Sequence, residues 1–242
     1  MFKGLDLVIK TFFILIYRGR GDWDLKIFIS GGSKSGKSMY AQQIARNICK
    51  PGMPLYYLAT MIPTDGEDEA RITRHREERE GWGFVTVEAG RDLLKTVEFY
   101  NESENCDESL NRDRDVTLDE SGTFLLDSVT ALLANEMFLP DGNVVQDAYI
   151  KVTNDLEKVL SRVDDMVIVS DYIYSDAILY DELTELYRRG LAYIDKRMAV
   201  LCDVVVEVCC GLTSVHKGEE YIREYVHGVD YKHMWGFKFT RD

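Results

Sequence analysis

The chain has few of the residues that would indicate a disulfide framework or a zinc site. Its 242 residues include five cysteines and four histidines, and no two cysteines have the C-x-x-C spacing. Neither kind of site is therefore expected, and this cysteine usage fits a reducing cytoplasm. Two of the cysteines, Cys209 and Cys210, lie in an apolar run and are predicted to be part of the core.

Positive charge and long apolar runs are also scarce. Lys and Arg number 29 against 42 acidic residues, which gives a net charge of −13. Nucleic-acid binding needs a basic face, so a nucleic-acid partner is not expected. The apolar stretch 5–17 is interrupted by Asp6 and Lys10 and is too short to span a bilayer. Residues 1–25, which also lack a signal-peptide cleavage site, are predicted to be an N-terminal extension that is docked on the domain, placed at a subunit interface, or disordered.

What the chain does contain is a glycine-rich loop between a short apolar strand, 27–29, and a helix, 39–49. The pattern G-x-x-x-x-G-K-[ST] is satisfied by Gly31, Gly32, Ser33, Lys34, Ser35, Gly36, Lys37 and Ser38. Such a loop turns backbone N–H groups and the start of a helix toward a phosphate. Lys37 is expected to reach the β- and γ-phosphates, and the Ser38 hydroxyl to bind Mg²⁺. A chance glycine turn is the alternative, but the flanking strand and helix agree with the motif.

Strands and helices alternate along the rest of the chain. Strands are predicted at 55–59, 84–87, 123–126, 166–170 and 204–210, and helices at 67–80, 91–100, 129–138, 144–163 and 179–201. Because the strands are nearly continuous apolar runs, they predict a mostly parallel sheet with helices on both faces, a P-loop NTPase-like (RecA-like) α/β fold. One domain over 1–242 is expected, with an acidic loop insert at 101–121 and a C-terminal extension at 219–242, either a hairpin or a packed segment.

Ligands of such sheets bind beyond the carboxyl ends of the strands. The phosphate loop, Thr60, Asp127 and Ser170 all lie at strand ends of this kind. The Asp127 carboxylate is placed to hold Mg²⁺, directly or through water, opposite Ser38. The alternative is that Asp127 caps the following helix, a position for which Ser128 competes.

A charged helix supplies the second candidate group. Arg71, His75 and Arg79 are spaced i, i+4, i+8 and so share one helix face. Two guanidinium groups beside an imidazole attract phosphate and are expected to lower its pKa, and a neutral imidazole is a competent nucleophile toward phosphorus. A solvated charged helix with an incidental histidine is the alternative on spacing alone.

Six segments together resemble the bifunctional adenosylcobinamide kinase / adenosylcobinamide-phosphate guanylyltransferase family. They are GGSKSGKS, YYLAT, RITRHREER, LLDSVTALLANEMF, VIVSD and DVVVEVCCGL, in that order between residues 26 and 217. The resemblance implies a cytoplasmic enzyme that phosphorylates adenosylcobinamide with ATP or GTP. It then implies transfer of GMP from GTP, through a guanylyl-histidine, to adenosylcobinamide phosphate. A homo-oligomer, a trimer, is implied as well.

The resemblance also assigns roles to residues. His75 matches the guanylylated histidine, and Lys37 belongs to the catalytic phosphate loop. Further nucleotide contacts match Leu58, Ala59, Thr60, His75, Arg76, Glu77, Glu78, Glu88 and Asp127. The chain departs from the family pattern after strand 166–170, where Ser170-Asp171-Tyr172-Ile173-Tyr174 stands in place of S-N-E-V-G, and at Asp195, where the family usually has Asn.

Two other functions stay open at this point. One is a P-loop small-molecule kinase without a covalent step, which would be indifferent to the loss of His75. The other is a nucleotide-binding regulatory module, which the lost N-E-V-G favours.

Overall fold

The computed structural model describes residues 24–64, 66–102 and 118–226. Predictions for residues 1–23, for 103–117 of the acidic insert and for 227–242 lie outside the described residues. The elements in chain order are β1 Lys26–Gly31, α1 Lys37–Ile48, β2 Leu55–Ala59, α2 Gly66–Glu78, β3 Phe84–Glu88, α3 Leu93–Glu102, β4 Thr123–Asp127, α4 Val129–Met137, α5 Ala148–Leu160, β5 Asp165–Asp171, α6 Glu182–Leu201, β6 Val204–Cys209, β7 Leu212–Lys217 and α7 Glu219–Val226.

The strands form one seven-stranded sheet in the order β3-β2-β4-β5-β1-β6-β7. Every pairing is parallel except β6 with β7, which is antiparallel. The central strands β4 and β5 are buried along nearly their whole length, as expected for strands covered on both faces. The predicted P-loop NTPase-like α/β fold is confirmed.

Helices cover both faces of the sheet, and the period-2 alternation of β1 shows how. Ile27 and Ile29 belong to the core cluster that includes α1 and Ile222 of α7, whereas Phe28 belongs to the cluster on the opposite face. That opposite face is covered by α3, α4, α5 and α6. Burial of each Ile or Leu side chain in these two layers contributes about 1.5–3 kcal/mol to the free energy of unfolding. This burial stabilises the strand arrangement on which the site depends.

The carboxyl end of β6 differs from the prediction. Cys209 and Cys210 are exposed, so their assignment to the core was wrong. The chain reverses here in a two-residue turn, with Cys210 at φ 51° and Gly211 at φ 75°, and the antiparallel strand β7 follows. Side chains in a tight turn at the edge of the sheet face solvent, so Cys209 and Cys210 are exposed although the preceding strand is apolar.

The segment after β7 forms a helix rather than the first arm of a hairpin. Ile222 of α7 is fully buried, and the Asn47 side-chain amide donates to the Tyr225 carbonyl at 2.8 Å. At the insert, α3 continues to Glu102, and Leu118 is buried on the far side of the gap. Within the described ranges no helix is both long and apolar enough to cross a membrane.

Candidate active site

The phosphate loop joins β1 to α1 and is held against the end of β6. A Cβ on Gly31 would lie 2.5 Å from the Val208 carbonyl oxygen, so a side chain there would collide with backbone. The Gly211 N–H donates to the Ser35 carbonyl at 3.1 Å, which fixes the outer part of the loop to the β6–β7 turn. Gly36, at φ 93°, adopts a conformation that favours glycine and starts α1. The helix has no acidic residue in its first turn, so its N-terminus is suited to an anion.

Lys37 is the first residue of α1 and is only 6 % exposed. Its ammonium group donates to the Gly32 carbonyl at 3.1 Å and forms an ion pair with Asp171. Asp171 ends β5, directly beside Gly31 in the parallel register. The cation expected to bind phosphate is therefore already paired with a carboxylate, a contact that the sequence motif did not predict.

Asp127 ends β4 and accepts hydrogen bonds from two hydroxyl groups. Ser38 Oγ donates to Oδ1 at 3.3 Å, and Tyr57 Oη donates to Oδ2 at 3.0 Å. The cap of α4 is Ser128, whose Oγ accepts from the Ala131 N–H, so the alternative role of Asp127 as a helix cap is excluded. A carboxylate beside a hydroxyl offers the hard oxygen ligands that Mg²⁺ prefers, and these two residues fit the predicted metal site.

The end of β2 has a structural role in addition to facing the site. Leu58 is fully buried in the core, while Ala59 lines the cavity described below. Thr60 Oγ1 accepts from the Ser128 N–H at 2.6 Å and donates to the Ser128 carbonyl at 2.8 Å. The Asn135 side-chain amide donates to the carbonyls of Thr60 and Gly90, at 2.7 and 2.9 Å. These bonds join the ends of β2, β3 and β4 in one rigid edge.

Helix α2 lies over this edge and brings the predicted histidine to it. Arg79 is 6 % exposed, its guanidinium lies 3.8 Å from the Tyr57 ring centroid, and its Nη1 donates to the His75 carbonyl at 2.9 Å. Burial lowers the pKa of Arg79, yet the group stays a cation at neutral pH. Arg76 pairs with Glu88 at 3.0 Å on the more exposed side. Glu77 is exposed, and the side chains of Arg71 and Glu78 lie outside the described part of the chain.

These elements enclose a cavity of about 510 Å³, within the usual range for small-molecule sites. Its polar lining includes Lys37, Ser38, His75, Arg76, Arg79, Glu88, Asp127 and Asp171. Met61, Pro63 and Ile72 supply an apolar wall. The phosphate-loop lysine and the helix histidine, more than 30 residues apart in sequence, therefore share one cavity.

The sequence interpretation did not include Asp171 or Tyr57 in the site. Asp171 had a signal that could have identified it, because it follows an apolar strand just as Asp127 does. Tyr57 had none, since alternation in a strand buried on both faces does not tell which tyrosine of a pair faces the ligand.

Comparison with known proteins decides the family. Residues 27–215 match the CobU family, described as cobinamide kinase / cobinamide phosphate guanyltransferase. The chain belongs to this family. Because the CobU family is one of kinases and guanyltransferases, the chain is an enzyme of the transferase class. Its similarity to the bifunctional adenosylcobalamin biosynthesis protein CobP of Pseudomonas aeruginosa is 25 % identity over 195 residues, which is 81 % of this chain and 99 % of that protein.

Solved structures with a similar arrangement are more distant. The flagellar accessory protein FlaH from Methanocaldococcus jannaschii has a TM-score of 0.38 and 13 % identity, covering 81 % of this chain and 79 % of that one. A KaiC-like protein from Pyrococcus horikoshii has a TM-score of 0.38 and 12 % identity, covering 76 % and 72 %. The fold assignment rests on the strand order and the phosphate loop of this chain itself.

Two residues at which the sequence analysis expects a departure from the family pattern contact each other. The Tyr174 hydroxyl donates to Asp195 Oδ2 at 2.9 Å. Asp195 is 3 % exposed, and its burial raises the pKa of the carboxyl to about 7. The tyrosine hydroxyl thus supplies a donor to a carboxyl group that would otherwise be harder to bury.

We expect Asp195→Asn to stabilise the protein above pH 7. The folded-state pKa of about 7 lies above the ordinary value of 3.8, so stability from this carboxyl is complete below about pH 3.8 and is lost as the pH rises to about 7. About three pKa units correspond to roughly 4 kcal/mol of unfolding free energy, an upper value for the gain. The melting temperature at pH 8 should rise by roughly 5 °C or more.

The measurement is thermal unfolding of the wild type and Asp195→Asn from pH 4 to pH 8, followed by circular dichroism. Tyr174→Phe serves as the matched control, because it removes the hydroxyl donor and should make the loss of stability with rising pH steeper. Equal pH dependence in the wild type and Asp195→Asn would show that Asp195 does not titrate in this range.

Proposed function

We propose that this chain catalyses two consecutive reactions of cobalamin nucleotide-loop assembly. The first is phosphorylation of the aminopropanol hydroxyl of adenosylcobinamide by ATP or GTP. The second is transfer of GMP from GTP to adenosylcobinamide phosphate, which gives adenosylcobinamide-GDP. Membership of the CobU family supports both activities, and the cavity shared by the phosphate loop and His75 is the observation that carries the proposal.

In the guanylyl transfer we assign the nucleophile to the His75 imidazole. A ring nitrogen attacks the α-phosphorus of GTP, a P–N bond forms, and the bond to the α,β-bridging oxygen breaks as pyrophosphate leaves with the electron pair. A phosphate oxygen of adenosylcobinamide phosphate then attacks the same phosphorus and breaks the P–N bond. Arg76 and Arg79 line the cavity beside His75 and are suited to stabilise the charge that develops on the transferred group.

The phosphate loop, 31–38, is proposed to hold the triphosphate, with Lys37 on the β- and γ-phosphates. Ser38 and Asp127 would hold Mg²⁺, which neutralises phosphate charge when bound. The remaining nucleotide contacts proposed from the resemblance are Leu58, Ala59, Thr60, Glu77, Glu78 and Glu88. Of these, Ala59 and Glu88 line the cavity, whereas Leu58 and Thr60 are fully buried at the end of β2. A cytoplasmic location and a homo-oligomer, a trimer, complete the proposal, and sedimentation velocity tests the oligomeric state.

The test is incubation of the purified protein with GTP, Mg²⁺ and adenosylcobinamide phosphate. We expect stoichiometric formation of pyrophosphate and adenosylcobinamide-GDP, resolved by chromatography and mass spectrometry. A parallel reaction with adenosylcobinamide and ATP should yield adenosylcobinamide phosphate. Phosphorylation without any GDP product would favour a kinase that lacks the covalent step. Binding of GTP without turnover of either substrate would favour a nucleotide-binding regulatory module.

A further inference from the structure

Asp171 is held beside the phosphate loop by its strand register and by backbone hydrogen bonds. It is the last residue of β5 and pairs in register with Gly31, the first glycine of the phosphate loop. Its N–H donates to Thr130 Oγ1 at 2.9 Å, and the next N–H, that of Tyr172, donates to the Gly31 carbonyl at 3.3 Å. The backbone on both sides of the carboxylate is therefore fixed relative to the loop that would hold the triphosphate.

The two aspartates that line the cavity have different partners. Asp127 accepts from the hydroxyls of Ser38 and Tyr57, and Ser38 is the other residue proposed to hold the metal. Asp171 forms an ion pair with Lys37, and both side chains are largely buried. Because a phosphate-loop lysine turns to the β- and γ-phosphates when a nucleotide binds, the Asp171 carboxylate loses much of this partner and is left next to the γ-phosphate.

We propose that Asp171 is the general base of the phosphorylation step and that, before the nucleotide arrives, it holds Lys37 in place. The proposal rests on the kinase activity proposed above. In the step, the alcohol proton of the acceptor passes to an Asp171 oxygen as the alcohol oxygen bonds to the γ-phosphorus. The bond from the γ-phosphorus to the β,γ-bridging oxygen breaks, and the nucleoside diphosphate leaves with the electron pair. Asp171 then releases its proton to water.

This double role has opposite effects on binding and on rate. Replacing the carboxylate by an amide removes a negative charge that repels the triphosphate and frees Lys37 from its ion pair. Nucleotide affinity should therefore rise by at least about fivefold, because two unit charges about 4 Å apart interact by about 1 kcal/mol even in bulk water. The rate of phosphoryl transfer should fall by about 10²- to 10⁴-fold, the usual contribution of a general base. A residue that merely supported the fold would weaken both.

The experiment compares the wild type, Asp171→Asn and Asp171→Glu. Dissociation constants for a non-hydrolysable ATP analogue with Mg²⁺ come from calorimetry, and phosphoryl transfer to adenosylcobinamide from single-turnover assays with γ-labelled ATP. We expect Asp171→Asn to bind the analogue more tightly and to transfer phosphate at least about 10²-fold more slowly. Asp171→Glu, which keeps a carboxylate, should transfer at least about tenfold faster than Asp171→Asn.

Asp164→Asn is the matched control, since it makes the same charge change next to the opposite end of β5, away from the cavity. It should match the wild type in both measurements. Transfer by Asp171→Asn within about tenfold of the wild type, or weaker binding of the analogue, would overturn the assignment. A wild-type protein that transfers no phosphate would instead overturn the proposed kinase activity, while the binding comparison would still report whether Asp171 restrains Lys37.

Discussion

In His75→Ala, we expect no protein-bound label after incubation with GTP that carries its label in the α-phosphate. The wild type should retain up to one label per chain through denaturation at alkaline pH, where a phosphoramidate persists. The imidazole supplies the only nitrogen nucleophile that we assign to this transfer, so its loss should lower GDP-product formation by at least about 10³-fold. Phosphorylation of adenosylcobinamide should continue at close to the wild-type rate, because Lys37, Asp127 and Asp171 are unchanged.

His216→Ala provides the matched control for a lost imidazole. His216 lies on β7, where its Nε2 contacts Glu207 at 2.9 Å, and it does not line the large cavity. Its variant should be labelled as the wild type is. Persistent labelling of His75→Ala would move the covalent step to another residue. An unlabelled wild type that still makes the GDP product would support direct transfer without an intermediate.

Lys37→Ala is expected to impair both reactions. The lysine is the cation at the start of α1 and the group assigned to the β- and γ-phosphates, where transition-state charge develops during phosphorylation. Removal of one such charge typically slows a reaction by about 10²- to 10³-fold, and triphosphate binding should weaken as well. Guanylylation of His75 should also fall, since the same group would position the leaving pyrophosphate.

Lys34→Asn tests whether the loss is specific to position 37. Lys34 belongs to the same loop, is exposed, and has φ 57°, a conformation that Asn tolerates better than Ala. Its variant should keep triphosphate affinity within a few-fold of the wild type. Thermal unfolding of both variants separates a lost contact from a lost fold. Normal turnover by a folded Lys37→Ala protein would contradict the proposed position of the triphosphate.

The features that could be predicted from sequence are those encoded locally. The phosphate loop depends on consecutive residues, and the parallel sheet depends on apolar runs that alternate with helical periodicity. Asp127 could be placed at a strand end for the same reason. The spacing of His75 and Arg79 predicted one helix face, but it did not indicate that Arg79 would be buried against Tyr57.

The features that sequence did not predict depend on which strands are neighbours. Asp171 reaches Lys37 only because β5 lies directly beside β1, although β4 precedes β5 in the chain and more than 130 residues separate the two strands. Strand β7 was not predicted because residues 213–217 are more polar than the central strands. A strand at the edge of the sheet does not need to be apolar on both faces, and β7 is such a strand. Likewise, family resemblance locates Leu58 and Thr60 at a strand end without saying toward which side their side chains point.

We expect the outermost hairpin of the sheet, β6–β7, to influence nucleotide affinity, because Gly31 lies so close to the Val208 carbonyl that a Cβ there would collide with it. This close packing prevents the phosphate loop from moving toward β6, and the Gly211 N–H holds the Ser35 end of the loop from the same side. The hairpin therefore constrains the shape of the phosphate loop. Inserting a single residue between Cys210 and Gly211 would change that shape without replacing any residue that lines the cavity.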